Sequence, residues 1–217
     1  RIYNVYPLIN LSSKLYIYVE PFSKVLRRSV LLFGEMLRRR VELENLIKNH
    51  SYKMIMKILF IQTGGTIDKD YPKTTKGYAF EISEPAVKRI LEKVNPSFEY
   101  EILSILKKDS LDITDEDRDK IYEACKKSKI DKIIITHGTD TMIETAKRLS
   151  ELRDKTIIIT GSMIPEMFSN SDASFNLGTA VGALNVLDKG IYLSMHGRVY
   201  SWNKVKRDME TGQFIEK

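Results

Sequence analysis

Two short stretches of the chain carry side chains that could do chemistry together. Thr63-Gly64-Gly65-Thr66 follows the apolar, β-branched run Lys57–Gln62, and His137-Gly138-Thr139-Asp140-Thr141 follows a second such run, Lys132–Thr136. Runs of this kind make strands buried on both faces of a parallel sheet. A strand that stops on two glycines is using its backbone, because glycine allows positive φ and the close approach of another group. Thr66 is therefore expected in a tight turn at the carboxyl end of its strand, with its hydroxyl exposed. Thr139 and Asp140 put a second hydroxyl and a carboxylate at the end of another strand. In a parallel sheet such ends face one crevice, where open α/β sheets keep their ligands. Taken alone, the Gly-Gly turn reads equally as a phosphate-cradling loop or a plain bend, and the lysine of a P-loop is missing. Threonine and aspartate also commonly cap turns and helices.

The elements that must position these residues alternate. Strand patterns run over Lys57–Gln62, Tyr100–Leu106, Lys132–Thr136, Thr156–Thr160 and Ile191–Met195. Helical patterns run over Glu84–Val94, Thr114–Ser128, Met142–Leu152 and Ala173–Val186. Strands separated by helices of this length imply βαβ units with right-handed crossovers. The expected class is α/β, a doubly wound, mainly parallel, Rossmann-like sheet. Thr114-Asp115-Glu116-Asp117 reads as an N-cap with an acidic first turn.

Composition narrows the function classes. The net charge of +6 looks like a hint of nucleic acid, but residues 1–53 hold ten Lys/Arg and four Asp/Glu and carry all of it. The remaining 25 basic and 25 acidic residues cancel, so the basic balance says nothing of what the main domain binds. No nucleic-acid partner is expected. A single cysteine, Cys125, rules out an internal disulfide and fits a reducing, cytoplasmic setting. No apolar run of about 18 residues is present, so no membrane-spanning helix is expected. The histidines and Cys125 show no metal-ligand spacing, and neither metal nor cofactor is expected.

Residues 1–53 differ in character from the remainder of the chain. From Phe22 to Ile47 apolar residues fall at helical spacing beside Arg27, Arg28 and Arg38-Arg39-Arg40, as in a basic amphipathic helix. The chain begins on Arg, and Met54 and Met56 stand directly before the first strand. The division is therefore read as a basic extension over 1–53, either native or upstream sequence, and a domain over 54–217.

Thr63-Gly64-Gly65-Thr66-Ile67 and His137-Gly138-Thr139-Asp140-Thr141, each after a hydrophobic strand, resemble the two signatures of the bacterial-type L-asparaginase/glutaminase family. The likeness continues through Asp109-Ser110-Leu111-Asp112, Thr160-Gly161-Ser162-Met163-Ile164-Pro165 and Ser171-Asp172-Ala173-Ser174-Phe175-Asn176-Leu177, and covers about Met56 to Phe214. The resemblance implies hydrolysis of a side-chain amide, with Thr66 as nucleophile, an acyl-enzyme ester and released ammonia. It implies Tyr78 as the activating group, with Thr139, Asp140 and a lysine as a second set. Arg207 stands at the simplest aligned position for that lysine, so Lys206 is expected to serve through a small register shift, because arginine does not give up a proton. Ser110 is the implied contact for the substrate α-carboxylate and Asp140 for its α-ammonium, while backbone N–H groups near Thr139 would hold the oxyanion.

Two departures keep other readings open. Leu111 occupies the place of a substrate-binding glutamine, which removes a polar contact to the amino group. The family's proteins also continue for roughly another 100–150 residues, a domain's worth. A short relative that encloses its substrate would do so as a homo-oligomer. An amidohydrolase with a small-molecule amide substrate leads. A binding module that keeps the pocket without turnover, and a nucleotide- or phosphate-binding domain, stand behind it.

Overall fold

A computed structural model describes residues 32–42, 44, 56–72 and 80–217. The chain divides into two compact units, Arg1–Met54 and Ile55–Lys217. In the first, residues 32–42 and 44 are helical, with ion pairs one turn apart, such as Arg38 with Glu42 at 3.5 Å and Arg40 with Glu44 at 3.0 Å. The rest of the helix expected from Phe22 to Ile47 lies outside the described residues.

The second unit is built on a six-stranded sheet. Its strands are β1 (Lys57–Gly64), β4 (Glu99–Lys108), β5 (Lys132–Thr136), β6 (Thr156–Thr160), β7 (Gly190–Met195) and β8 (Arg198–Ser201), in the spatial order β4-β1-β5-β6-β7-β8. The first five are parallel, and β8 returns antiparallel on β7. Two short antiparallel pairs stand beside it, β2 (Lys69–Asp70) with β3 (Glu81–Ile82), and β9 (Val205–Arg207) with β10 (Phe214–Glu216). The helices are α1 (Ala86–Val94), α2 (Asp115–Lys127), α3 (Met142–Leu149) and α4 (Ala173–Ala183). None of the described helices is long and apolar enough to cross a membrane.

Period-two alternation along the central strands sorts the core into two layers. Leu59, Ile61, Ile133, Ile135, Ile157 and Ile159 face Ile121 and Cys125 of α2 and Met142, Ala146 and Leu149 of α3. Ile58, Phe60, Ile134 and Ile158 face Ala86, Val87, Ile90 and Leu91 of α1 and Ala173, Leu177 and Ala180 of α4. A strand with apolar residues on both faces reads as a continuous run, which is why Ile133–Ile135 and Ile157–Ile159 carry no visible periodicity.

Element ends follow local chemistry. Pro85 caps α1 and disfavours helical backbone at Glu84, so the helix starts two residues later than its pattern suggests. Thr114 caps α2 through a capping box: its hydroxyl accepts from Asp117 N and the Asp117 carboxylate accepts from Thr114 N. Asn95 closes α1 in the left-handed conformation at φ 43°.

The crossovers do not all take the expected right hand. The steps β5 to β6 and β6 to β7 run in the same direction across the sheet, yet α3 lies on one face and α4 on the other. The first three crossovers share the usual right hand, and β6-α4-β7 is left-handed. The segment between β6 and α4, residues 161–172, carries the chain across the carboxyl edge of the sheet. Two anchors fix that path: Asp172 accepts from Met163 N and Ile164 N, and Asn176 donates to Gly161 O.

Among the described residues, every member of both cores lies at or beyond Met56. A protein shortened to begin at Met56 is expected to fold and to melt within about 4 °C of the full chain by circular dichroism. A loss of cooperative melting would place part of the core before Met56.

Candidate functional site

The site is built where backbones touch. β1 runs into a 3-10 turn, Thr66–Asp68, through Gly65 at φ 82°. A Cβ on Gly65 would lie 2.3 Å from Gly138 N and 2.5 Å from Gly138 Cα, and a Cβ on Gly138 would lie 2.6 Å from both Cβ and Oγ of Ser110. Real side chains do not fit into such gaps, so the loops after β1 and β5 meet main chain to main chain, and Gly138 packs directly on the Ser110 side chain. Gly65 N also donates to Lys108 O at 2.9 Å. Thr66 follows one glycine and Thr139 the other, so both emerge at the carboxyl edge between β1 and β5. There the strand order reverses, since β4 lies to one side of β1 and β5 to β7 lie to the other.

Thr66 and Thr139 are half-buried. Ser110 is fully buried, and its hydroxyl donates to Asp140 Oδ2 at 3.3 Å while accepting from Asp140 N at 3.3 Å. Thr141 Oγ1 donates to Ser110 O at 2.6 Å and ties the two loops together. Ser110 thus orients the Asp140 carboxylate. Leu111, by contrast, is 73% exposed.

Asp140 Oδ1 is held by Arg207 Nη1. Strand β9 alternates: Val205 is buried, Lys206 exposed and Arg207 half-buried. The side chains of Val205 and Arg207 share one face, so Arg207 reaches Asp140 and Lys206 points away from that face. This is the alternation rule applied to a three-residue strand, and Val205 is the signal from which it could be read. Tyr78 lies outside the described residues. Tyr71 and Phe80, on either side of residues 73–79, both stack against Phe168 of the 161–172 segment, at 6.1 and 5.7 Å between ring centroids.

Asp68, one residue beyond Thr66-Ile67, is a buried carboxylate that no local pattern in the sequence singles out. Its Oδ1 accepts from Ala86 N at the start of α1 at 2.7 Å, and Oδ2 lies 3.5 Å from Thr136 Oγ1. Burial pushes it up to about 6, against the downward pull of those hydrogen bonds. His137 is wholly buried. Its Nδ1 lies 2.7 Å from Gly138 O, which can only accept, so Nδ1 carries the proton and Nε2 accepts from Thr145 Oγ1 at 2.8 Å. Burial lowers it to about 4, leaving a neutral structural ring. Cys125 is pushed up to about 12 by burial, and its thiol is inert. The Lys69 ammonium holds Asp109 below the usual carboxylate range at 2.7 Å. Glu166 is driven upward by burial, but Arg89 at 2.6 Å and Lys93 at 2.9 Å leave it lowered on balance. Glu166 N also donates to Ile67 O, which docks the 161–172 segment on the Thr66 turn. Among the described residues, no group of three His, Cys, Asp or Glu side chains is placed to hold a metal ion.

Comparison with known proteins bears on the family and the fold. Residues 57–213 match the family model described as Asparaginase, N-terminal. The chain is 34% identical over 158 residues to an L-asparaginase of Thermococcus kodakarensis, covering 70% of this chain and 48% of that protein. It is 27% identical over 172 residues to a glutaminase-asparaginase of Acinetobacter glutaminasificans, covering 73% and 52%. The solved structure of the thermostable L-asparaginase from Thermococcus kodakarensis superposes with a TM-score of 0.65 at 32% identity, over 74% of this chain and 51% of that one. The chain spans about half the length of the curated relatives it matches.

Two outcomes follow from the geometry. Gly138→Ala is expected to push Ser110 and Asp140 apart and to cost about 1–3 kcal/mol, read as a drop in the melting temperature. Because the folded-state pKa of Asp68 is raised, its favourable contribution is complete below about pH 4 and fades as pH rises through about 6. Asp68→Asn is therefore expected to be near neutral at about pH 4 and to stabilise by up to roughly 2–3 kcal/mol at about pH 8. Denaturant titrations across that range check the slope, and a gain confined to low pH would contradict it.

Proposed function

The chain belongs to the asparaginase family, and on that premise we propose that it is an amidohydrolase acting on the side-chain amide of a small molecule through a threonine acyl-enzyme. One observation carries the reading: the Gly65–Gly138 backbone contact, which brings the Thr66 turn against the loop of Thr139 and Asp140. In the proposed reaction Thr66 Oγ attacks the amide carbon as its proton passes to a base. The C–N bond breaks with proton transfer to nitrogen, and ammonia leaves. Water then hydrolyses the Thr66 ester, giving the acid and restoring the hydroxyl. Tyr78 is proposed as the group that takes the Thr66 proton, and backbone N–H groups near Thr139 as the donors to the oxyanion. L-asparagine is the reference substrate, since the matched relatives are named for asparagine and glutamine.

The second set is Thr139, Asp140 and a cation. Arg207 supports a purely electrostatic part for that cation, because a guanidinium in contact with Asp140 holds its proton throughout. The resemblance implies Lys206 as the base, and its exposed position on β9 favours Arg207 instead as the residue next to Asp140. The same observation favours a second reading, a pocket that binds an amide without turning it over.

Ammonia release from a panel of amides by the purified protein and by Thr66→Ala separates the two. Turnover that falls by about a thousandfold or more in Thr66→Ala supports the acyl-enzyme. Activity that survives the substitution removes Thr66 from the mechanism, and saturable binding without ammonia favours the binding module.

A further inference from the structure

Both Asp140 oxygens already have a partner. Oδ1 contacts Arg207 Nη1, and Oδ2 accepts from Ser110 Oγ at 3.3 Å. The pair lies at an accessible place, the Asp140 side chain being 41% and the Arg207 side chain 20% exposed. Arg207 Nε reaches Gly212 O at 3.4 Å, and Nη2 has no hydrogen-bond partner among the described residues. Leu111, the chain neighbour of Ser110, has no polar atom in its side chain to offer and is largely exposed. Asp109, the carboxylate that precedes Ser110, is occupied by Lys69.

From this charge arrangement we infer that Arg207 sets the substrate class: ω-amides that carry a carboxylate but no α-ammonium, of which succinamate is the simplest, in preference to free α-amino acid amides. The inference rests on the amidohydrolase reading. A lysine at this place could shed its proton and leave the Asp140 charge free for a cationic substrate, whereas a guanidinium stays charged and keeps Asp140 neutralised. An incoming ammonium would then meet a compensated carboxylate and a fixed like charge, which acts against it. A carboxylate would instead find the unpartnered N–H groups of Arg207, a charge-assisted acceptor for a planar donor. Leu111 adds no acceptor that could rescue the ammonium.

The test compares kcat/KM for succinamate and L-asparagine in the full chain, in Arg207→Lys and in Arg207→Ala, with Thr66→Ala as the background. The natural protein is expected to favour succinamate by about tenfold or more, and Arg207→Ala to shift that ratio toward asparagine by about tenfold. Arg207→Lys, which keeps a cation at the site, is expected to lie between them. A residue that merely supported the loop would lower both substrates alike and leave the ratio unmoved, and that result overturns the inference, as does a natural preference for asparagine. If no amide yields Thr66-dependent ammonia, the amidohydrolase reading itself fails. Calorimetric binding of the same two compounds to the same proteins then decides: tighter succinamate binding that disappears in Arg207→Ala supports the role of Arg207. Equal, reversed or absent binding overturns it.

Discussion

The contact on which the rest of this site depends is between two pieces of backbone. Gly65 and Gly138 approach so closely that a methyl group on Gly65 would overlap the Gly138 amide, and Gly138 in turn leaves no room between itself and Ser110. Three loops from three parallel strands are thereby held at fixed separation by covalent geometry and van der Waals contact. Side-chain flexibility hardly enters. A reacting group needs placement to within a fraction of an ångström, and main chain that is already close-packed supplies it without further ordering.

Around that contact, four acidic groups are compensated by cations. Asp140 meets Arg207, Asp109 meets Lys69, Asp117 meets Lys108 and Lys120, and Glu166 meets Arg89 and Lys93. Asp68 is different. It sits buried beneath the Thr66 turn with hydrogen bonds but no ion-pair partner among the described residues, and its carboxyl rises to about 6 as a result. Asp117 and Glu166 are buried with their cations, whereas Asp68 is buried without one.

The left-handed β6-α4-β7 crossover serves the same edge. A helix returned to the face of α3 would let its connection turn back at once, but α4 lies on the face of α1, so residues 161–172 must pass over the strand ends. In passing they present Glu166 N to Ile67 O and Phe168 to Tyr71 and Phe80. An uncommon connection thus packs against the Thr66 turn. The right-handed rule reflects what an unconstrained crossover prefers, and here Asp172 and Asn176 anchor the connection to its longer path.

Much of this was legible in the sequence because the signals are local. The isoleucine runs at 133–135 and 157–159 mark strands buried on both faces, Thr114 with Asp117 marks a helix start, and a Gly-Gly stop after β1 marks a strand end with a task for its backbone. The hydroxyls of Thr66 and Thr139 could be placed on one edge from strand direction alone. Other features depend on which strand lies beside which. The hand of the last crossover depends on which face of the sheet α4 packs against. Alternation gives the face that Arg207 shares with Val205, but that this face meets Asp140 depends on where the β9–β10 pair is placed. The burial of Asp68 comes from α1 packing over it, and the backbone contact of Gly65 with Gly138 joins residues 73 positions apart. Sequence determined the elements and the residue types, because propensity, capping and alternation act over a few residues. Only the tertiary structure decided which charges meet, because electrostatic pairing and desolvation depend on distances between chain segments that no local pattern encodes.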